Sequence, residues 1–160
     1  MLFSAHGLPE RTAASGDPYR SQVERSSAAV AAKLEAMAAR GWDWRICYQS
    51  RVGPMKWIGP STVEEIERAG AEGLGVIVDP IAFVSEHVET LVELDRDYAL
   101  VAQKAGAAPY IRVPALGVQP RFIEGLATLV EQALAGPELA PGATPCEAGL
   151  GRCALRRLAA

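Results

Sequence analysis

The residues of this sequence best suited to chemistry are a histidine near the N-terminus and a series of carboxylates in mid-chain. His6 lies in the segment SAHGLP, and the carboxylates lie in FVSEHVETLVELDRDY, residues 83–98. Read as a helix, this segment places four acidic side chains on one face: Glu86, Glu89, Glu93 and Asp97. An imidazole can accept a proton near neutral pH or bind a metal ion. A row of carboxylates beside it could pass a divalent cation along several weak sites.

The acidic row also has a simpler interpretation. Like charges at these spacings destabilise an isolated helix by about 0.2–0.5 kcal/mol per pair, and Arg96 is the one basic residue close enough to relieve them. The helix macrodipole favours Glu86 and Glu89 by about 0.3–1 kcal/mol each, but it does not reach the later carboxylates. A solvated acidic face is therefore the alternative to a metal path, and His6 could simply hydrogen-bond its own loop. The row lacks the closed ligand set of a structural zinc site.

A second candidate feature is the loop QSRVGPMKWIGP, residues 49–60, in which two Gly-Pro pairs bracket Trp57. A stiff loop that holds an indole could form the wall of a site for a flat, apolar ligand. The alternative is a tryptophan that only covers the edge of the sheet.

The three cysteines, Cys47, Cys146 and Cys153, do not form a recognisable site. Six residues separate Cys146 from Cys153, a spacing that matches neither a zinc ribbon nor a redox C-x-x-C pair. An iron–sulfur centre needs four ligands, which two thiolates cannot supply. We expect Cys47 in the core and the other two as free thiols in a disordered tail. Because MLFSAHGLPE lacks the features of a secretory signal, a cytoplasmic location is expected.

Composition predicts one globular domain. The chain has 160 residues, of which 49% are hydrophobic and 22% charged. Its net charge of −3 and pI of about 5.4 argue against nucleic-acid binding. No apolar run approaches the roughly 18–20 residues that a membrane span needs.

Four short apolar runs read as strands, over residues 1–4, 45–49, 75–78 and 110–113. They alternate with helical patterns, which predicts an α/β fold: a Rossmann-like, four-stranded parallel sheet flanked by helices. His6, the 49–60 loop and the SEHVE segment follow the first three strands. Open parallel sheets bind ligands at the carboxyl ends of their strands, so these features are expected to converge there.

The first two helices have clear start signals. The first opens at Asp17, a capping residue followed by proline, and ends near Gly41. The second opens at Ser61-Thr62, where Thr62 and Glu65 can form a capping box. The apolar face of the first helix carries Val23, Val30, Leu34 and Met37.

The third helix starts after Ser85 and ends at Gly106, and the fourth opens at Pro120. The fourth displays an apolar face of Phe122, Leu126, Leu129 and Ala133. Residues 1–135 are expected to form the domain, and residues 136–160 a flexible linker followed by a basic, cysteine-containing tail. Three residues precede Ser4, so the first strand is expected to be cut short, in a chain that begins partway through a longer protein.

Together these segments resemble the ferrochelatase family. The resemblance is carried by LFSAHGLP, GDPY, QSRVGPMKWIGP, PIAFVSEHVETLVELD and RVPALGVQPRFIEGLA, in family order from residue 2 to about residue 135. It covers the C-terminal half of that family and implies one half of a chelatase fold. Asp79 departs from the family pattern, which usually has an apolar residue there, and could bury a charge beside the site.

The resemblance also implies site residues. His6 and Glu89 are expected to face each other across a porphyrin pocket as metal ligands or proton acceptors, with His87 as a buttress. Glu93 and Asp97 would continue as a metal-delivery path, so metal contacts are expected from His6, Glu89, Glu93 and Asp97. Trp57, with Ser50 and Met55 of the same loop, would contact the porphyrin. Family members distort the acidic helix by a π-type bulge, which often accompanies functional sites.

The function that the resemblance implies is insertion of Fe²⁺, as substrate, into protoporphyrin IX to give protohaem. The N-terminal half of the same enzyme would be a partner, and this part alone is expected to be inactive. Peripheral membrane association and self-association stay open. Some ferrochelatases bind a [2Fe–2S] cluster through C-terminal cysteines, so a cluster at Cys146 and Cys153 is considered but not favoured. The alternatives are a half-size, homodimeric chelatase of the cobalt or nickel type, and a non-catalytic metal- or haem-binding remnant.

Overall fold

The fold is built on one parallel sheet. A computed structural model describes residues 1–38, 41–136 and 146–155 of the chain. The strands, in chain order, are β1 (Leu2–His6), β2 (Arg45–Gln49), β3 (Val76–Asp79) and β4 (Tyr110–Arg112). They are all parallel and lie in the order β2-β1-β3-β4. The predicted four-stranded α/β sheet is therefore confirmed.

The strand bounds agree closely with the pattern of apolar runs, with one correction. β2 coincides with the predicted range of 45–49. β1 extends beyond the predicted 1–4 as far as His6, because it pairs with β2 from Leu2 opposite Arg45 to His6 opposite Gln49. His6 is therefore the last residue of the strand instead of the second residue after it.

The helices of the described ranges connect these strands. They are α1 (Glu10–Ala14), α2 (Tyr19–Ala38), α3 (Thr62–Ala71), a π-helix (Glu89–Tyr98), α4 (Ala99–Ala105) and α5 (Pro120–Ala135). The short helix α1 is absent from the sequence-based prediction. No helix in the described ranges is both long and apolar enough to span a bilayer.

Two core clusters cover the two faces of the sheet. Cys47 belongs to one and Tyr48 to the other, because successive side chains of a strand point to opposite faces. The first cluster joins the sheet to α3, the π-helix and α4, for example through Ile66 and Leu94. The second joins it to α2 through Val23. Helices thus pack on both faces, as predicted.

Two local predictions need correction. The capping box of α3 uses Ser61 and Glu64, because the Ser61 side chain accepts from the Glu64 amide and the Glu64 carboxylate accepts from the Ser61 amide. Thr62 is instead buried, with its hydroxyl 2.8 Å from that of Ser4. On α2, Met37 is 73% exposed, because the buried stripe follows Val23, Ser27 and Ala31.

The acidic helix differs most from its prediction. It does not start directly after Ser85, because residues 83–87 are not helical and regular winding begins at Val88. From Glu89 to Tyr98 the winding is that of a π-helix, and α4 continues to Gly106, which ends it with a φ of 76°. A π-helix bonds each amide to a carbonyl five residues earlier. The residues that share a face therefore differ from those of an α-helix.

The C-terminal residues fall into two parts. Helix α5 contains no buried residue, so its apolar face has no cover within the described ranges. Most of the predicted linker, residues 137–145, lies outside the described residues. Residues 146–155 form turns in which the Arg152 amide donates to the Gly16 carbonyl at 3.1 Å. This part of the expected disordered tail is therefore docked, beside the junction of α1 and α2.

Candidate active site

The position of the His6 ring follows from the sheet. His6 pairs with Gln49 across β1 and β2, and the next amide, that of Gly7, donates to the Gln49 carbonyl at 2.7 Å. The His6 Nδ1 atom lies 2.7 Å from the Gly7 carbonyl oxygen. Because a carbonyl only accepts hydrogen bonds, Nδ1 carries a proton, and in the neutral ring Nε2 is the unprotonated nitrogen.

The structure brings Glu89 to this free nitrogen. The Nε2 atom of His6 lies 3.4 Å from Oε1 of Glu89, and the side chains are 43% and 33% exposed. A neutral Nε2 and a carboxylate are both acceptors, so neither can donate to the other. A proton or a metal ion placed between them would be bound by both.

His87 supports Glu89 from the other side. Its Nδ1 atom accepts from the Glu89 amide at 3.1 Å, and its ring meets Phe83 edge-on, with centroids 5.2 Å apart. Its Nε2 atom lies 4.0 Å from Oε2 of Glu89. His87 precedes the helix, and its side chain is 40% exposed.

Glu93 is held by four hydrogen-bond donors. The Ser50 amide donates at 2.8 Å and the Ser50 hydroxyl at 2.5 Å, while the Gln49 side-chain amide donates at 3.0 Å and the Tyr98 hydroxyl at 2.6 Å. Two donors fall on each carboxylate oxygen. A carboxylate has about four lone-pair sites, and these four donors occupy them. Glu93 can bind a cation only by giving some of them up.

The other two acidic residues also have partners. Glu86 accepts from Arg112 and from the Ala115 amide, and Asp97 accepts from Arg96. Arg112 in turn makes a two-point pair with Asp95, so its guanidinium joins the segment before the π-helix to the π-helix itself. Each of these two carboxylates is therefore paired with an arginine. Within the described ranges no three histidine, cysteine or acidic side chains converge as a metal site.

The loop of residues 49–60 lies against the turn that follows β1. Trp57 forms an isolated bridge with Pro9, and its ring carbon Cε3 would be 3.1 Å from a Cβ atom added at Gly7. The indole therefore packs behind the turn next to His6. Its buried Nε1 atom has no hydrogen-bond partner among the described residues. Met55 is 43% exposed, whereas Ser50 is 9% exposed and its hydroxyl is used by Glu93.

The cysteines are all buried. Burial raises the pKa of the Cys47 thiol to about 12, which agrees with the predicted core position. Cys146 and Cys153 lie close together, since the Cys146 amide donates to the Cys153 sulfur at 3.5 Å. Their burial differs from the expected thiols of a disordered tail.

Sequence reasoning missed Gln49, Arg112 and Tyr98. Gln49 and Arg112 end strands β2 and β4, and a polar residue at that edge of a parallel sheet was an available signal. Tyr98 follows Glu93 by five residues, and only the π-helical winding brings such a pair together.

A parallel sheet with an imidazole and a carboxylate facing each other at its carboxyl edge defines the class. This is an α/β protein with an imidazole–carboxylate pair at its candidate site. A family model for ferrochelatase matches residues 1–134. The ferrochelatase of Caulobacter vibrioides (strain NA1000 / CB15N) is 61% identical over 134 residues, which cover 84% of this chain and 38% of that protein. The chain belongs to the ferrochelatase family.

Further relatives agree with this assignment. The ferrochelatase of Phenylobacterium zucineum (strain HLK1) is 55% identical over 157 residues, which cover 98% of this chain and 45% of that protein. The chain therefore spans less than half the length of these curated relatives. A cobalamin (vitamin B12) biosynthesis CbiX protein from Marinobacter aquaeolei VT8 superposes with a TM-score of 0.54, over 84% of this chain and 95% of that one. At 16% identity, this likeness shows the fold alone.

Proposed function

We propose that this chain forms the metal-inserting part of an enzyme that places Fe²⁺ in protoporphyrin IX to give protohaem. The observation that carries the proposal is the 3.4 Å approach of His6 Nε2 to Glu89 Oε1, in a chain of the ferrochelatase family. Insertion removes two pyrrole protons and strips water from Fe²⁺. An unprotonated imidazole nitrogen and a carboxylate are suited to both tasks.

The two residues would divide this work. His6, with Nδ1 committed to the Gly7 carbonyl, offers Nε2 as a base or as a ligand of the incoming Fe²⁺. Glu89 offers the carboxylate that faces it. His6 and Glu89 would accept the two pyrrole protons as Fe²⁺ enters the porphyrin. Two positive charges leave the porphyrin nitrogens and two arrive, so the charge on the macrocycle is unchanged. His87 would keep Glu89 in place through the Glu89 amide.

The proposed delivery path runs from Asp97 past Glu93 to Glu89. Asp97 is 49% exposed and can meet Fe²⁺ from solvent. Transfer of the metal to Glu93 would cost the most free energy on this path. A metal bound there must displace a hydrogen-bond donor of Ser50, Gln49 or Tyr98. Trp57, Met55 and Ser50 would contact the porphyrin beside His6.

The test is an iron-insertion assay on two proteins. One is this chain alone, and the other is this chain joined to the N-terminal part of the Caulobacter vibrioides relative. We expect haem formation only from the joined protein. Replacing His6 by asparagine or Glu89 by glutamine should lower kcat at least 100-fold, since positioned acid–base groups contribute about 10²–10⁴-fold. Replacing Glu67, an exposed residue of α3, by glutamine is the matched control.

Other outcomes would favour the alternative functions. Insertion by a dimer of the chain alone would support a half-size chelatase. Binding of haem or metal without turnover, even in the joined protein, would support a non-catalytic remnant. Full activity of both His6→Asn and Glu89→Gln would overturn the assigned roles.

We also propose that the chain holds no [2Fe–2S] cluster. Such a cluster needs four ligands, the chain has three cysteines, and Cys47 is committed to the core. Protein purified without oxygen is expected to be colourless and free of sulfide. Stoichiometric iron and sulfide, lost when Cys146 or Cys153 is replaced by serine, would contradict this.

A further inference from the structure

We propose that Gln49 is a positioning residue that sets the distance between His6 and Glu89. The proposal rests on the proposed function in taking these two as the reacting pair. Gln49 is fully buried at the end of β2, and its side chain hydrogen-bonds to Ser4, to the Glu89 carbonyl and to Glu93. The Gln49 backbone binds the turn that orients His6, and the Gln49 side chain binds the backbone of Glu89.

The backbone side of this bridge acts on His6. The Gln49 carbonyl accepts from the Gly7 amide at 2.7 Å, directly after His6. The Gly7 carbonyl then accepts from Nδ1 of His6 at 2.7 Å, which fixes the rotation of the imidazole. A Cβ atom at Gly7 would lie 2.9 Å from the Gln49 carbonyl oxygen, so the approach of the two chains leaves no space for a side chain. The direction of Nε2 therefore depends on Gln49.

The side-chain part of the bridge acts on Glu89. The Gln49 Nε2 atom donates to the Glu89 carbonyl at 2.8 Å and to the Glu93 carboxylate at 3.0 Å. Both partners only accept, so the orientation of the amide group is determined. Its oxygen accepts from the Ser4 hydroxyl at 2.8 Å, which anchors the amide to β1.

The contact with Glu89 lies where the winding of the helix changes. Glu89 is the first residue of the π-helix, and Gln49 supplies its carbonyl with a donor from outside the helix. A side chain that inserts into the helical hydrogen-bond ladder is a recognised cause of local distortion of a helix. The winding at Glu89 decides where its side chain points. Gln49 thus orients the carboxylate through the backbone that carries it.

The test replaces Gln49 by methionine, which keeps the length of the side chain and removes both polar groups. The matched control is Tyr110→Phe, since the Tyr110 hydroxyl donates to the Leu94 carbonyl of the same π-helix at 2.9 Å. Both variants remove a side-chain hydrogen bond to a carbonyl of the π-helix. Only Gln49→Met is expected to affect the reacting pair.

The measured quantity is the affinity of the chain for Zn²⁺. Binding is monitored by NMR of the chain's two histidine side chains. Loss of a residue that orients a metal ligand costs about 10–100-fold in metal affinity. We expect a loss of at least about tenfold for Gln49→Met and none for Tyr110→Phe. If Gln49 only stabilised the fold, the two variants would bind Zn²⁺ with the same affinity, provided that both remain folded at the temperature used.

His6→Asn and Glu89→Gln complete the design. If neither weakens Zn²⁺ binding, the assigned metal pair, and with it the proposed function, is wrong. If both weaken it and Gln49→Met does not, the positioning role is overturned while the proposed function stands. If Gln49→Met does not fold, Ser4→Ala is used in its place. This substitution removes the hydrogen bond that anchors the Gln49 side-chain oxygen and leaves Gln49 itself unchanged. We then expect a smaller loss of Zn²⁺ affinity than the one predicted for Gln49→Met, and unchanged affinity would contradict the proposal.

Discussion

Ser50 and Glu93 are joined by two hydrogen bonds, from the Ser50 amide at 2.8 Å and from its hydroxyl at 2.5 Å. Ser50 has a φ of 58°, a left-handed conformation that non-glycine residues seldom adopt. The conformation lets both groups of one residue reach the same carboxylate. Glu93 thus connects the end of β2 to the π-helix, and this structural role would compete with metal binding.

Replacing Glu93 by glutamine should destabilise the fold. A glutamine keeps one acceptor oxygen, but its NH2 group replaces the other and faces the two donors that this oxygen bound. One of those two is an N–H group in either orientation, and it is left without an acceptor. We expect a loss of about 2–3 kcal/mol in the free energy of unfolding, measured by urea denaturation. Asp97→Asn is the control, because Asp97 is exposed and should change stability by less than about 0.5 kcal/mol. Equal effects of the two substitutions would refute the structural role of Glu93.

Glu86 should make stability depend on acid. Burial alone raises the pKa of its carboxyl, but hydrogen bonds from Thr90, Arg112 and the Ala115 amide outweigh this and lower it from 4.5 to about 2. A lowered pKa stabilises the fold above the unfolded value, and that contribution is lost as pH falls toward the folded value. Glu86→Gln should therefore be less stable than the wild type at pH 7, by a difference that shrinks below pH 4.5. Urea unfolding at several pH values measures this, and a difference independent of pH would argue against it.

Asp79 should have the opposite effect. It ends β3 at the sheet edge that carries His6, and burial raises the pKa of its carboxyl above 3.8. Because the folded pKa is raised, ionisation costs stability, and the cost grows as pH rises above 3.8. Asp79→Asn should raise the free energy of unfolding at pH 7 and leave it unchanged at pH 3. Thermal unfolding at both pH values tests this, and a variant less stable at pH 7 would contradict it.

The exposed face of α5 should cause self-association of the isolated chain. Leu126 and Leu129 are 44% and 54% exposed, and apolar patches of this kind usually need cover. Replacing both by lysine should shift sedimentation toward the monomer without changing the circular dichroism spectrum. Thr128→Lys, which adds charge on another side of the helix, should not. In the joined protein described above, the N-terminal part is expected to cover this face, so the wild type should then sediment as a single species.

Several features followed from the sequence because they depend on local chemistry. Apolar runs bounded by turn residues located the strands, and β2 matched its prediction at both ends. The alternation of strands and helices gave the parallel sheet, which in turn placed His6 near the segment that carries Glu89. The resemblance to a known family singled out the same two residues. The sequence thus placed them at the same edge of the sheet, but it did not give the distance of 3.4 Å between them.

The tertiary structure decided which of the acidic residues are available for chemistry. A helical reading placed Glu86, Glu89, Glu93 and Asp97 on one face, because it assumed α-helical spacing. The π-helix begins only at Glu89, so Glu86 lies outside it and pairs with Arg112, which is 26 residues away in sequence. Periodicity cannot predict such partners, since they depend on how separate elements pack.

Gln49 shows the same distinction most clearly. Its position at the end of a strand was readable from the sequence, but its side-chain contact with the Glu89 carbonyl joins residues 40 positions apart. The Gln49 amide is buried, so leaving any of its polar atoms without a partner would cost free energy. This cost selects a single orientation of the side chain. Local sequence thus determined the elements and the residue types at the site. Packing of the π-helix against β1 and β2 determined that Glu89 faces His6 and that Glu93 is held in the structure.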